Sequence, residues 1–432
     1  MEFVGPWLIL PFFVLLVLGV PVAFCLGFSV LIFFFFSGTT IPTVIVFTEM
    51  YDGVAIGALL AFPLFILTGE LLTRAEITEK LVELSNSLVG WMKGGLGHVN
   101  IVTSMFFAGI SGSAIADTAS IGPILIPAMV REKFPKAFSA AVTAASSIVG
   151  PVIPPSIPII IVGAQLDISI GGLFAAGIVP GILLGLALMA VNYVICARNG
   201  YGEIHPFAGV PAAARATGAA VPALLIPVIL LGGILSGVFT PGEAGAVAAA
   251  YTVLVGVFYY RTLNLTRLGM ALASAARVVG SVMIILACAV IFSRILAFYQ
   301  IPKELLDFLV SITENRIVLI LLIVVLFLFV GMFMDAVVNM IILGPLLMPL
   351  FVQGLGFHPI QFGMFLMVGL LLGLVTPPLG LCLFIAAPIA RETLDRTALA
   401  VLPFLLAEIV ILLLIAFVPD VTMHVPRLLE FS

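Results

Sequence analysis

Charge is what this sequence has least of. Only 9% of its 432 residues are Asp, Glu, Lys or Arg, against 63% hydrophobic, and the mean hydropathy is +1.34. A soluble domain carries roughly 25% charged residues, so the chain lacks the polar surface that water demands. Its few basic residues form no block, which excludes a nucleic-acid interface. The four cysteines, Cys25, Cys196, Cys288 and Cys382, stand far apart with no C-x-x-C. That excludes a disulfide framework or a thiolate metal centre and leaves packing as their role. No G-x-x-x-x-G-K-[ST] string occurs, so this chain is not expected to hydrolyse ATP. A basic n-region and a small-residue cleavage site are both missing before the first apolar run, which is expected to act as an uncleaved insertion signal.

What is present is a succession of apolar runs from Trp7 to Phe417. About 20 such residues cross the ~30 Å hydrocarbon layer as a helix, and no irregular backbone can face lipid. Crossings are expected at 7–20, 22–37, 54–73, 137–164 and 173–196, and again at 219–236, 241–260, 270–298, 362–388 and 397–418. Between the third and fourth of each set lie two further features. Segments 77–93 and 301–315 alternate apolar and charged residues at helical spacing, as interfacial amphipathic helices do. Stretches 96–130 and 317–351 are long, apolar and interrupted at Gly109-Ile110-Ser111-Gly112-Ser113 and Gly331-Met332-Phe333-Met334-Asp335. Each reads as a re-entrant helical hairpin whose arms reach the midplane.

The two halves, 1–200 and 215–432, carry the same breakers. With a shift of about 222, Gly109 falls on Gly331, Gly122-Pro123 on Gly344-Pro345, and Pro127 on Pro349. One residue further on, Gly150 matches Gly373, Pro154-Pro155 matches Pro377-Pro378, and Pro180 matches Pro403. Five crossings per half is an odd number, so the second repeat should be inverted. Arg131, Lys133 and Lys136 follow the first hairpin, whereas no Lys or Arg follows the second between Gln353 and Pro359. The positive-inside rule therefore puts the first hairpin base in the cytoplasm and the second outside.

Proline donates no amide hydrogen, so Pro154 and Pro155 leave the carbonyls of Gly150 and Pro151 without their helical partners, and Pro377 and Pro378 do the same for Gly373 and Leu374. Freed carbonyls beside hydroxyls suit a hard cation such as Na⁺. The second arm of each hairpin points its helix N-terminus at the midplane, which suits an anion. Ser111, Ser113 and Thr118 add hydroxyls, and Asp117 is an intramembrane carboxylate one turn into that arm. Arg294 is assigned to snorkelling at a helix end. Other readings are a channel, or an intramembrane protease suggested by the G-x-S-G string at Gly109–Gly112. A protease serine needs a base within reach, yet all four histidines, His98, His205, His358 and His424, fall at expected loops or helix ends.

At Gly109 to Asp117, the Gly-Pro-x3-Pro that follows, Gly150 to Ser156, Gly331 to Pro349 and Thr376-Pro377-Pro378, the chain resembles the large membrane (M) subunit of TRAP transporters, the tripartite ATP-independent periplasmic family. Gly19-Val20-Pro21 and Thr240-Pro241-Gly242-Glu243-Ala244 extend the resemblance to essentially the whole chain. It implies a bacterial inner-membrane protein driven by two or more Na⁺ ions. It further implies a small four-helix membrane subunit (Q), a periplasmic substrate-binding protein (P) and an organic-acid substrate. The implied mechanism is an elevator, with 96–164 and 317–388 moving, through the arms 77–93 and 301–315, against a scaffold of 7–73, 173–196, 219–298 and 397–418. A binding-protein-independent carboxylate/Na⁺ symporter of similar fold is the alternative. Expected ion ligands are Ser113, Asp117, Gly150, Pro151, Gly331, Asp335, Gly373, Leu374 and Thr376. Expected substrate ligands are Ser111, Gly112, Ser113, Ser156, Asn339 and Thr376.

Overall fold

A computed structural model describes residues 5–39, 42–75, 77–207, 209–301, 303, 304, 313 and 315–431, with the side chains of 58 and 108–111 outside the description. Among the described residues there is no strand. The first half opens with one π turn, Gly5–Ile9, leading into α1 (Leu10–Val17), then α2 (Val22–Phe36), α3 (Val44–Val54) and α4 (Ala61–Arg74). It continues through α5 (Thr78–Val89), α6 (Gly95–Ser111), α7 (Ala114–Arg131), α8 (Lys136–Val152), α9 (Ile157–Leu166) and α10 (Ile170–Asn199). The second half holds α11 (Val210–Leu235), α12 (Pro241–Leu254), α13 (Leu265–Phe298), α14 (Arg316–Phe333) and α15 (Ala336–Pro349). After these come α16 (Pro359–Gly373), α17 (Leu381–Ala390), α18 (Leu394–Phe417) and a short α19 (Asp420–Leu428). Eight described helices are long and apolar enough to cross a membrane, or nine if the pair α8 and α9, bent by 46°, is one span.

Both interrupted stretches fold back on themselves. Asn100, near the start of α6, places its Nδ2 3.8 Å from Sδ of Met129, near the end of α7. A straight helix would hold residues so far apart in sequence ~43 Å from each other. In the second half the Arg316 guanidinium lies 5.4 Å from the Phe357 ring, itself 5.0 Å from the ring of Phe351 just beyond α15. The start of α14 and the end of α15 are therefore side by side. The halves also pack reciprocally. The short α9 lies on α15 and α16 of the other half, as α17 lies on α7 and α8.

Several boundaries differ from the sequence reading, each for a physical reason. In place of the third crossing, expected at 54–73, stand α4 (Ala61–Arg74) and, before it, the separate helix α3 (Val44–Val54). Glu49 and Asp52 depress the hydropathy of 44–54, but Glu49 is paired with Arg294 at 3.1 Å. Arg294, expected to snorkel at an outer helix end, lies near the end of α13 with its side chain largely exposed and paired to Glu49. The crossing expected at 219–236 starts at Val210, because Pro211 suits a first helical turn and the alanines after it favour helix. The crossing expected at 270–298 starts at Leu265, where Asn264 accepts from the Arg267 amide as an N-cap. The broken helix expected at 362–388 starts at Pro359 after a His358 cap and ends at Ala390. The segment α19 was not anticipated; it packs on α10 and α16. The first interfacial arm is α5, whereas most of 301–315 lies outside the described residues.

Beyond the membrane-spanning helices, the loop after α10 is tied to the turn between α7 and α8. Lys133 Nζ meets Glu203 Oε1 at 2.7 Å and His205 Nε2 meets Glu132 Oε1 at 3.0 Å. The hydrogen bond and charge of Lys133 hold the Glu203 carboxyl below its usual range.

Gly331 and Gly373 bring two backbones into direct contact. A Cβ on Gly331 would lie 2.8 Å from the Gly373 Cα, whereas one on Gly280 would meet nothing within 4 Å. Gly331→Ala is expected to lower stability by about 1–3 kcal/mol through overpacking. Gly280→Ala should be neutral or stabilising by up to about 1 kcal/mol. Thermal unfolding of the detergent-solubilised variants checks both, and equal shifts would contradict the backbone contact.

Candidate functional site

The first hairpin turns at Gly112, whose φ of +60° is left-handed backbone that favours glycine. Ser113 follows in extended conformation and caps α7 by accepting from the Ala116 amide at 3.4 Å. This tip is seated on the break between α8 and α9, since a Cβ on Gly112 would lie 2.8 Å from the Ile157 nitrogen and 3.4 Å from the Ser156 Cα. The second hairpin does likewise. Its Gly331 touches Gly373 at the end of α16, and Asp335 caps α15 by accepting from the Val337 amide at 2.9 Å. Each hairpin tip thus rests on the break in the broken helix of its own half.

The freed carbonyls have found other donors. The Ser156 hydroxyl donates to the Pro151 carbonyl while capping α9. The Thr376 amide bonds the Gly373 carbonyl at 3.1 Å, and the Cys382 amide bonds the Leu374 carbonyl at 3.0 Å. The expectation of unpaired carbonyls at Pro151, Gly373 and Leu374 is therefore corrected: buried backbone acceptors find partners wherever the chain permits. Each keeps a second lone pair for a ligand. The residue four places after Gly150 is Pro154, so that carbonyl has no helical amide. The Thr376 hydroxyl donates to Leu372 at 2.8 Å, and Thr376 is half-buried, as are Ser113 and Asp335.

Asn339 is also placed differently from expectation. It is buried, and its Nδ2 donates to the Met334 carbonyl at 3.3 Å and the Val330 carbonyl at 3.4 Å, which ties the second tip together. Its amide serves the turn that α14 and α15 need. The side chain of Ser111 lies outside the described residues.

Asp117 is the most unusual residue of the set. It is 1% exposed, and neither carboxylate oxygen has a hydrogen-bond partner. The cap of its helix is Ser113, so Asp117 is not needed as one. Ser104 of α6 and Ser147 of α8 flank it, but their hydroxyls donate to Ser146 Oγ at 3.1 Å and to the Thr143 carbonyl at 2.7 Å. Asn100 completes this polar lining, donating to Thr143 Oγ1 at 2.6 Å and accepting from Ser146 at 3.1 Å. The matched positions in the second half are Leu322, Leu326, Leu366, Gly369 and Leu370, so the lining belongs to the first half alone. The buried Cys382, at the start of α17, lies beside Thr118 and within electrostatic reach of both Asp117 and Asp335. The two halves thus turn their acidic residues toward one central region.

Sequence reasoning missed Glu408. It is fully buried in α18 with both oxygens unpartnered. The signal was present: a lone acid inside an apolar run is a functional hypothesis by default. The Asn100 and Ser104 pair was also legible, since residues four apart share a helix face. His98 is too far away to act as a base for Ser111. His98 and Ser111 sit at opposite ends of α6, ~20 Å apart at helical rise.

The family model for the DctM component of tripartite ATP-independent periplasmic transporters matches residues 9–421. The sialic acid TRAP transporter large permease protein SiaM of Vibrio cholerae is 37% identical over 414 residues, 96% of each chain. The isethionate TRAP transporter permease protein DctMQ of Oleidesulfovibrio alaskensis is 36% identical over 95% of this chain, which spans 65% of that longer protein. Among solved structures, the YdaH transporter of Alcanivorax borkumensis aligns over 95% of this chain and 99% of its own, with a TM-score of 0.60 at 16% identity, a likeness of fold. Matched over nearly its whole length and built from membrane helices, the chain belongs to the DctM family of TRAP transporter large permeases: it is a multi-pass protein of the bacterial inner membrane, and not an enzyme.

Proposed function

We propose that this chain takes up a small organic acid, delivered by a periplasmic binding protein, with energy from a Na⁺ gradient. The observation that carries the reading is the seating of each hairpin tip on its own proline break, together with the unpartnered Asp117 in the first half. Broken helices and half-helix ends near the membrane centre are where secondary transporters bind ions and anionic substrates. Na⁺ takes oxygen ligands, as other hard cations do. The first half offers the Asp117 carboxylate, the Ser113 hydroxyl and the Gly150 and Pro151 carbonyls. The second offers Asp335, Thr376 and the carbonyls of Gly331, Gly373 and Leu374. The substrate carboxylate would lie between them, near Ser111, Gly112, Ser113, Ser156 and Thr376, facing helix N-termini rather than an arginine.

In this reading the halves 1–200 and 215–432 are inverted repeats. The hairpins and broken helices, 96–164 and 317–388, form a transport domain that moves as an elevator past the remaining helices. Reciprocal packing of α9 and α17 across the halves supports a two-fold relation between them. The small membrane subunit and the periplasmic protein complete the system. The DctMQ relative, longer than this chain, supports the first of these partnerships.

Uptake into proteoliposomes holding both partners, screened over organic acids with and without a Na⁺ gradient, tests the coupling. Transport unchanged by removal of Na⁺ would overturn it, and full transport without the periplasmic protein would favour a stand-alone symporter. Asp117→Asn is expected to lower uptake by at least tenfold, about 1.4 kcal/mol or more. Because a buried unpartnered carboxylate destabilises the fold, the same variant should keep or raise the melting temperature. Loss of both would mark Asp117 as structural. For topology, single cysteines at Lys133 and Gln353 should label from opposite sides of the membrane; labelling from one side contradicts the inversion.

A further inference from the structure

Away from the hairpins, α2, α3 and α13 enclose two adjoining cavities that share Ile291 as a wall. The larger, about 490 Å³, holds Glu49 and Arg294; the other, about 330 Å³, is walled by apolar side chains including Phe24, Phe28, Phe47 and Cys288. Gly27 helps keep the second open, since a Cβ there would already stand 3.4 Å from the Cys288 sulfur. The first lies at headgroup level. The 34 residues of α13 extend ~51 Å, beyond the ~40–45 Å bilayer including headgroups, and Arg294 is near its C-terminal end. Tyr299 packs on Phe33 at 5.7 Å and Trp7 on Phe36 at 5.6 Å at the same end, in the manner of an interfacial aromatic belt.

The ion pair itself is unusual. Arg294 Nε meets Glu49 Oε2 at 3.1 Å, yet the Arg294 side chain is 69% exposed and that of Glu49 26%. Among the described residues no protein acceptor meets the terminal N–H groups of Arg294. A positive and a negative group side by side, above an apolar groove at the membrane surface, match a ligand with the opposite pair of charges and a hydrocarbon tail. We propose that this crevice binds one phosphatidylethanolamine-type phospholipid, its phosphate on Arg294, its ammonium on Glu49 and an acyl chain in the groove beneath. Guanidinium is well suited to phosphate oxygens. A purely anionic lipid would set its excess negative charge against Glu49, so the zwitterion is preferred.

Lipid retention tests this directly. The full chain, purified with its small membrane partner in mild detergent from a membrane containing phosphatidylethanolamine and phosphatidylglycerol, is assayed by mass spectrometry for bound lipid. Wild type should retain phosphatidylethanolamine in preference to phosphatidylglycerol. Arg294→Gln should lower that retention about tenfold, the scale of one charge-assisted hydrogen bond. Glu49→Gln should keep a lipid but shift the preference toward phosphatidylglycerol. No preference in wild type, or undiminished retention in Arg294→Gln, overturns the proposal. So does a photo-crosslinker at Phe47 that captures the small membrane subunit instead of lipid. The wild-type comparison stands even if a variant fails to fold.

Discussion

Every backbone polar group inside the hydrocarbon layer must find a partner without water, and the rest of the structure follows from that constraint. It makes the spans helical, and it makes each interruption of a helix a local problem to be solved by named side chains. Ser113, Ser156 and Asp335 solve it by capping the helices that restart after both tips and after the first proline pair. Asn339 solves it by bonding carbonyls across the second tip. The backbone is broken at two tips and two proline pairs, and the tips rest on the prolines' helices. Non-helical chain is thereby covered by other non-helical chain, and lipid meets helices.

The same constraint separates shape from chemistry. Glycine at 112, 331 and 373 permits close approach of backbones, and the prolines set where the helices stop. Gly112 falls opposite Met334, but Gly331, Gly373 and the prolines are matched between the halves. The side chains lining the hairpins are not: Asn100, Ser104, Thr143 and Ser146 form a hydrogen-bonded lining in the first half where the second has mostly leucine. The breakers recur in both halves, whereas this hydrogen-bonded lining belongs to the first.

Breakers were the legible part of the sequence. Gly109 to Ser113, Gly331 to Asp335 and the two Pro-Pro pairs located both hairpins and both broken helices to within a few residues, because proline and glycine act locally. Long-range pairing was not legible. Nothing local to Glu49 announced its pairing with Arg294, which is distant in sequence. The Pro151, Gly373 and Leu374 carbonyls looked unpaired because hydropathy and spacing say nothing about which donors a bent chain brings back. Glu408 was visible as a residue but not as a buried one, since burial depends on which face of α18 meets α8 and α16.

The unequal lining of the two hairpins has a consequence for energetics. In a transporter made of inverted copies, the inward-open and outward-open states are produced by the copies exchanging conformations. Identical copies would make those two states mirror images of equal free energy. On the proposed inverted-repeat reading, the first half would rearrange around a buried hydrogen-bonded network and the Asp117 carboxylate, the second around leucines at the matched positions. On that reading the exchange would not be symmetric, and serine against leucine at matched positions would bias the resting direction of the empty protein.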